Sequence, residues 1–447
     1  MNLANKNLKY REMKTFKRWS KINLMIVFLI TANLRCMSQN QEDKNMKIFD
    51  IILTTLDSDY FDPTYGGLNW KSITDSFRPK IKSQRSSDTL YYLLDKMLFN
   101  LGVSHLGALP PDKLNEIGDP QLTFDGAAGL DVMYLNGKAI ITKVFPNSPA
   151  YEMKLRPGYE IIDINNKPIK EIANKRNKFL IPPFNERNTT MMITSDILKE
   201  FYGTPGKIIR MQYRDSENRS KEIEFPLMKR EQNKALILNN LPMMYTTIDS
   251  RIINNNIGYI HFDIFHPVLL DTIIKCIKEY HNLPYLILDI RGNNGGEFFT
   301  RKTIAEQFVD KGKLFWKYKS RQGIEDVFLE PADKSYTGKL IILIDERSCS
   351  SSEEFSGGMK AIGRATIIGK QTAGKVLTMK VVTLPDGGLF FYPNTQTLTS
   401  KNEVLEGVGV VPDIIANLKI EDLLAGRDSQ LEAAINYITG LKETKNE

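Results

Sequence analysis

Leu340-Ile341-Ile342-Leu343-Ile344-Asp345-Glu346-Arg347-Ser348-Cys349-Ser350-Ser351-Ser352-Glu353 joins a five-residue apolar run to a serine-rich turn with a carboxylate behind it. Its apolar part has the length and Leu/Ile content of a fully buried strand. Ser350 then falls on a strand-to-helix turn, where a hydroxyl projects from the end of a sheet. The first N–H groups of the following helix lack partners there and can face a developing oxyanion. Lys375 follows 25 residues after Ser350. The arrangement suits acyl transfer, although a helix cap also accounts for the cluster taken alone, since Ser is a favoured N-cap residue.

On either side of this stretch, from about 240 to 440, apolar strands alternate with amphipathic helices. Strands are expected at Ile257 to Phe262, Tyr285 to Ile290, Lys339 to Ile344 and Ala365 to Ile368, with helices at Leu269 to Tyr280 and Thr300 to Lys311. Phe355, Met359 and Ile362 mark the buried face of the helix behind Ser350. Alternation of this kind predicts an α/β domain with a largely parallel sheet, whose chemistry gathers beyond the carboxyl ends of its strands. Arg291-Gly292-Asn293-Asn294-Gly295-Gly296 also falls at a strand end. It lacks the spacing of a phosphate loop. Its glycine pair instead allows close backbone approach, so that Gly295, Gly296 and the N–H of Ser351 are candidate oxyanion donors; a plain tight turn explains the glycines equally well.

The rest of the chain divides in two. Residues 41–115 read as a helical domain, with Ile48, Ile51, Ile52 and Thr55 on one face and Leu90, Leu93, Leu94, Met97 and Leu101 on another. A loop containing Pro63, Gly66 and Gly67 separates the two, and the second helix is expected to end at Gly102. Residues 118–230 carry short strands and turn signals, with a helical insertion at Thr189 to Lys199 before strands at Ile208 to Tyr213 and Lys221 to Leu227.

Composition removes other classes. A chain of 447 residues with 42% hydrophobic content can bury more than one core, and its three cysteines are too few for a disulfide framework. The formal charge of +7 resides entirely in residues 1–38, where Lys6, Lys9, Arg11, Lys14, Lys17, Lys21, Arg18 and Arg35 face Glu12 alone. No nucleic-acid patch is implied. These cations precede the uncharged run Ile22 to Leu34, which predicts a signal peptide or N-terminal anchor. Met13 is an alternative start, and cleavage is expected after Ser38. Leu34 and Arg35 fit poorly before a lipid-bearing Cys36. The mature protein is therefore expected to be exported, and to be periplasmic, envelope-associated or secreted. His261, Asp263 and His266 lack metal-site spacing, and no metal, nucleotide or other cofactor is called for.

The segment from Gly126 to Ile169 resembles a PDZ domain, with Asn147-Ser148-Pro149-Ala150 and Leu155-Arg156-Pro157-Gly158 as its landmarks. The resemblance implies that Gly129, Leu130 and Asp131 form a carboxylate-binding loop and that the strand from Val132 accepts a peptide as an added strand. Lys154 and Tyr159 depart from the usual Gly and Asp. Four motifs then occur in order: Asp289 to Gly296, Asp345 to Glu353, Gly363 to Lys375, and Gly407-Val408-Gly409-Val410-Val411-Pro412-Asp413. Together they resemble the C-terminal processing (tail-specific) serine peptidases and the related core of tricorn protease. That resemblance implies a crotonase-like spiral catalytic domain, peptide or protein substrates cut near their carboxyl termini, and Ser350 as nucleophile.

For the general base it implies two alternatives. In the tail-specific branch the base is Lys375, neutral only if desolvated, with Met379 standing where a lysine-orienting Gln is common. In the tricorn-like branch it is His105, preceded by Ser104 and assisted by Glu406. A catalytically silent peptide- or ligand-binding protein on the same scaffold is the rival reading.

Overall fold

The computed structural model describes residues 39–116, 124–177, 186–231, 234–235 and 244–443. The leader expected over residues 1–38, with Cys36, lies outside them. Within the described residues no helix is long and apolar enough to cross a membrane.

Among the described residues, the N-terminal third contains three α-helices rather than two: α1 (39–59), α2 (Trp70–Lys82) and α3 (Ser87–Leu98). Asn69 and Ser86 cap α2 and α3 through their side chains. A single 3-10 turn, Phe99–Leu101, continues α3 to Gly102, which takes the left-handed conformation of a helix stop. The chain then forms β1 (Gly107–Leu109).

In the middle region, β2 (Leu130–Leu135), β3 (Lys138–Val144), β4 (Glu160–Ile164), the helix α4 (Glu186–Lys199), β5 (Ile208–Arg214) and β6 (Ser220–Pro226) build an antiparallel sheet ordered β2-β3-β4-β5-β6. The expected insertion is α4, and it lies against β2. Tyr134 N–H donates to Thr194 Oγ1 at 3.0 Å, and Val132 N–H donates to Asp131 Oδ1 at 3.0 Å. An added peptide strand would need free N–H groups on this edge. Of the residues expected at a peptide site, Leu130 is buried in the core, Gly129 packs on Ser148, and Asp131 forms a two-pronged ion pair with Arg347.

The C-terminal region has two sheets. The first contains β7 (Ile248–Ile253), β8 (Ile257–Phe262), β9 (Tyr285–Asp289), β12 (Lys339–Ile344), β13 (Ala365–Gly369) and β16 (Ile414–Ile415) in the order β7-β8-β9-β12-β13-β16; only the β7/β8 pair is antiparallel. Helices α5 (Pro267–Glu279), α6 (Phe298–Glu306), α7 (Ser351–Ala361) and α8 (Ser429–Glu443) make the connections and the outer layer. Helix α6 stops at Glu306, short of the expected Lys311.

The second sheet, which the sequence patterns did not suggest, joins β10 (Lys313–Ser320), β11 (Gly323–Leu329), β14 (Thr378–Thr383) and β15 (Leu389–Thr399) with β1. Pairing of Gly107 to Leu109 with Leu389 to Phe391 zips the N-terminal third onto this sheet. Phe390 and Tyr392 pack among Leu90, Leu94 and Met97 of α3, so the two thirds share one core.

Asp95 of α3 accepts the Ala108 N–H at 2.8 Å and so fixes β1; burial pushes its carboxyl up to about 7. A raised acid binds its proton more tightly in the folded chain, so its contribution to stability is lost as pH rises from about 4 to 7. Asp95→Asn keeps an acceptor oxygen without the charge. Its stability relative to the parent is expected to grow across that window by at most ~1.4 kcal/mol per pH unit, measured by urea unfolding at pH 5 and 8. With the Tyr134 N–H held by Thr194 and that of Val132 by Asp131, a carboxyl-terminal peptide is expected to leave Val132 and Tyr134 amide exchange unchanged. Thr194→Val should speed exchange at Tyr134 in the same hydrogen-exchange experiment.

Candidate active site

Asn293, fully buried, ties the glycine turn to the serine turn. Its side-chain amide donates to Phe262 O, its carbonyl oxygen accepts from Cys349 N–H, and Ser352 Oγ donates to it as well. Asp345 adds a second tie by accepting from the N–H groups of Gly292, Arg347 and Ser348. Arg291 is engaged elsewhere, pairing with buried Asp289 and reaching Asp428 on the approach to α8, and its charge holds the Asp289 carboxyl well below the usual range.

Ser350 is the N-cap of α7 at φ 54°, ψ −120°. This conformation is strained for a residue with a Cβ, at a cost on the order of 1–3 kcal/mol that the surroundings must over-determine. They do so through two bonds to its N–H, one accepted by Lys375 O at 2.8 Å and one by Glu353 Oε2 at 3.2 Å. Glu353 has no solvent exposure. Its carboxylate also accepts from Thr372 Oγ1, Gly374 N–H and Lys375 N–H. Burial raises this carboxyl to about 7 despite those donors. Composition alone suggests only a helix-end role for Glu353; the signal that marks it is its position three residues after the strained N-cap, where a capping box reaches back.

Lys375 enters from Gly374, whose φ of 81° and contact with the Gly407 and Val408 backbone leave no room for a side chain. That contact brings Lys375 beside Glu406. One oxygen of Glu406 accepts from Val376 N–H at 2.9 Å and Ser104 Oγ at 3.0 Å, and the other from Ser104 N–H at 2.7 Å. Ser104 Oγ in turn lies 2.7 Å from His105 Nδ1. The hydroxyl proton is used on Glu406, so Nδ1 must be the donor to Ser104, and Nε2 carries the free lone pair. Burial and the positive charge of Lys375 lower the His105 imidazole to about 4, whereas burial raises the Glu406 carboxyl. Both candidate bases thus occur in one cluster, with Glu406, 302 residues from Ser104 in sequence, as their common neighbour.

Gly295 lies against the nucleophile turn: a Cβ there would meet Ser350 Cβ at 2.8 Å and Ser351 N at 2.9 Å. Its own N–H is spent on Asn293 Oδ1 at 2.9 Å, which corrects its expected role as an oxyanion donor. The N–H groups of Gly296 and Ser351 meet no acceptor among the described residues.

Other suggestive residues are occupied elsewhere. His261 Nδ1 bonds Asp289 O, His266 caps α5, and Asp263 holds Thr247. Met379 is partly exposed on β14, and Cys349 Sγ contacts Asn294 O. Contacts of Asp131 and of α4 tie the middle region to this site. Arg347, three residues before Ser350, is the partner of Asp131; from α4, Asn188 Nδ2 donates to Ala373 O and Arg187 Nε to Thr372 O.

Residues 256–416 match peptidase family S41, and residues 41–99 match the tricorn protease C1 domain. Among curated proteins, a probable CtpA-like serine protease of Staphylococcus aureus is 31% identical over 152 residues, which are 33% of this chain and 29% of that protein. A second, from Staphylococcus epidermidis, is 30% identical over 148 residues, 33% and 30% of the respective chains. The matches therefore span less than a third of either relative. The photosystem II D1 C-terminal processing protease shares the fold at a TM-score of 0.55 and 19% identity, over 86% of this chain and 94% of that one. Mature CPAF in complex with lactacystin does so at 0.62 and 12%, over 91% and 99%. On these matches residues 256–416 are similar to peptidase family S41 and residues 41–99 to the tricorn protease C1 domain, and the chain shares the fold of the two solved structures.

Proposed function

We propose that the protein is an exported endopeptidase that cleaves peptides or proteins near their carboxyl termini through an acyl-enzyme on Ser350. The observation that carries the reading is the Glu406–Ser104–His105 relay joined through Val376 and Lys375 to the backbone of the strained Ser350. Ser350 Oγ attacks the scissile carbonyl while its proton passes to His105 Nε2. Charge on the substrate oxygen is met by the N–H groups of Gly296 and Ser351. His105 then returns the proton to the departing amine as the C–N bond breaks, and it activates the water that hydrolyses the ester.

Histidine is favoured over lysine as the base. An imidazole held near 4 is unprotonated at neutral pH, and its Nδ1 side is oriented by Ser104. Lys375 acts as the neighbouring cation whose charge disfavours imidazolium and favours ionised Glu406. An extended substrate has a place to lie on β14. That strand begins three residues after Lys375 and, among the described residues, pairs on one side only. The tail specificity follows the name of the D1 C-terminal processing protease, and export follows the leader read in residues 1–38.

A serine-directed phosphonate should label Ser350, and kcat for a peptide substrate should fall about 10²–10⁴-fold in His105→Ala. Lys375→Met is expected to keep measurable labelling. Loss of the cation should raise the imidazole, moving the acid limb of kcat/KM upward from near pH 4. Full labelling of His105→Ala together with none in Lys375→Met would reassign the base to the lysine.

A further inference from the structure

Arg301 lies in α6, shortly after the glycine turn, and is 2% exposed. A guanidinium removed from water needs an anion beside it. Its Nη1 pairs with buried Glu354 and also donates to Ser351 Oγ at 3.0 Å, while Nη2 bonds the Tyr318 hydroxyl at 2.6 Å. The other oxygen of Glu354 accepts from Thr397 Oγ1 at 2.7 Å. Arg301 can only donate to Ser351, so the single hydroxyl proton of Ser351 is directed away from it, to Gly296 O at 2.8 Å. One side chain thereby ties together the two residues whose N–H groups meet no acceptor among the described residues.

The glycine turn needs such a tie. Gly295 O accepts from Phe265 N–H at 2.8 Å, so across the trans peptide the Gly296 N–H points away from Phe265. Glu297 N–H donates to Phe265 O at 2.7 Å, so the Gly296 carbonyl also points away from Phe265, toward Ser351. These two peptide planes meet at Gly296, at φ 131°, where rotation is unusually free. The Ser351 hydroxyl is the contact that links this hinge to the start of α7.

We propose that Arg301 and the Ser351 side chain are positioning residues of the oxyanion hole: the buried Arg301–Glu354 pair aims the Ser351 hydroxyl, which fixes Gly296 and sets the spacing of the two N–H donors. The inference rests on the acyl-transfer reading above. Removing an oxyanion donor outright costs roughly 10²–10³ in kcat. Loosening two donors that remain present should cost less, about tenfold.

The test uses the full chain and compares the parent with Ser351→Ala, Arg301→Met and the double variant. It reads kcat, KM, the inhibition constant of a peptide aldehyde whose hemiacetal oxygen occupies the hole, and active-site titre by phosphonate. Ser351→Ala is expected to lower kcat about tenfold per titrated site, leave KM within twofold, and weaken the aldehyde by the same factor as kcat/KM. The double variant should resemble the weaker single variant within about twofold, because Arg301 acts through Ser351. An unchanged kcat per titrated site, a loss confined to KM, or additive losses in the double variant would overturn the positioning role. If Arg301→Met does not fold, Ser351→Ala alone decides. A parent protein that never labels at Ser350 would overturn the peptidase reading and this inference with it, whereas a labelled parent matched by Ser351→Ala overturns the inference alone.

Discussion

The Glu353 carboxylate is the constraint around which the site is organised. Four donors converge on it, from Ser350, Thr372, Gly374 and Lys375, and it has no solvent exposure. Three are backbone N–H groups, and a buried N–H left without an acceptor costs about 1–3 kcal/mol. Their shared acceptor holds the serine turn and the lysine loop in one register. Because Ser350 is held away from relaxed backbone angles, that register is what keeps its side chain at the end of the sheet.

A second level of order comes from chain segments that meet only through tertiary structure. The His105 loop is placed by β1, which pairs with β15, and by Asp95, which fixes the β1 backbone. Glu406 is placed by the contact of two glycine turns at Gly374 and Gly407. The middle region contributes fixed contacts to the same loops, through Asp131 to Arg347 and through Asn188 to Ala373. Its own helix takes the Tyr134 N–H of the sheet edge through Thr194.

Much of the parallel sheet was legible because its strands are continuous apolar runs. Lys339 to Ile344 and Ile257 to Phe262 have the boundaries that their composition suggested. The second sheet was not, since β11, β14 and the partly exposed β10 mix polar and apolar residues and owe their pairing to neighbours distant in sequence. Ser350, Lys375, Ser104, His105 and Glu406 could be nominated from motif order. The consumption of the Gly295 N–H by Asn293, and of the Tyr134 N–H by Thr194, depends on side-chain directions that no spacing encodes. Arg301 and Glu354 gave no signal because a helical arginine and glutamate are usually solvated.

The strand β1 is made early in synthesis and its partner β15 late, with 279 intervening residues between Leu109 and Leu389. On the proposed mechanism, a nascent chain holds its imidazole long before its nucleophile, and Glu406 arrives later still. On that mechanism the site is complete only once synthesis has passed Glu406 and β15 has paired with β1. On the same mechanism, a product truncated before Glu406 would lack a member of the relay.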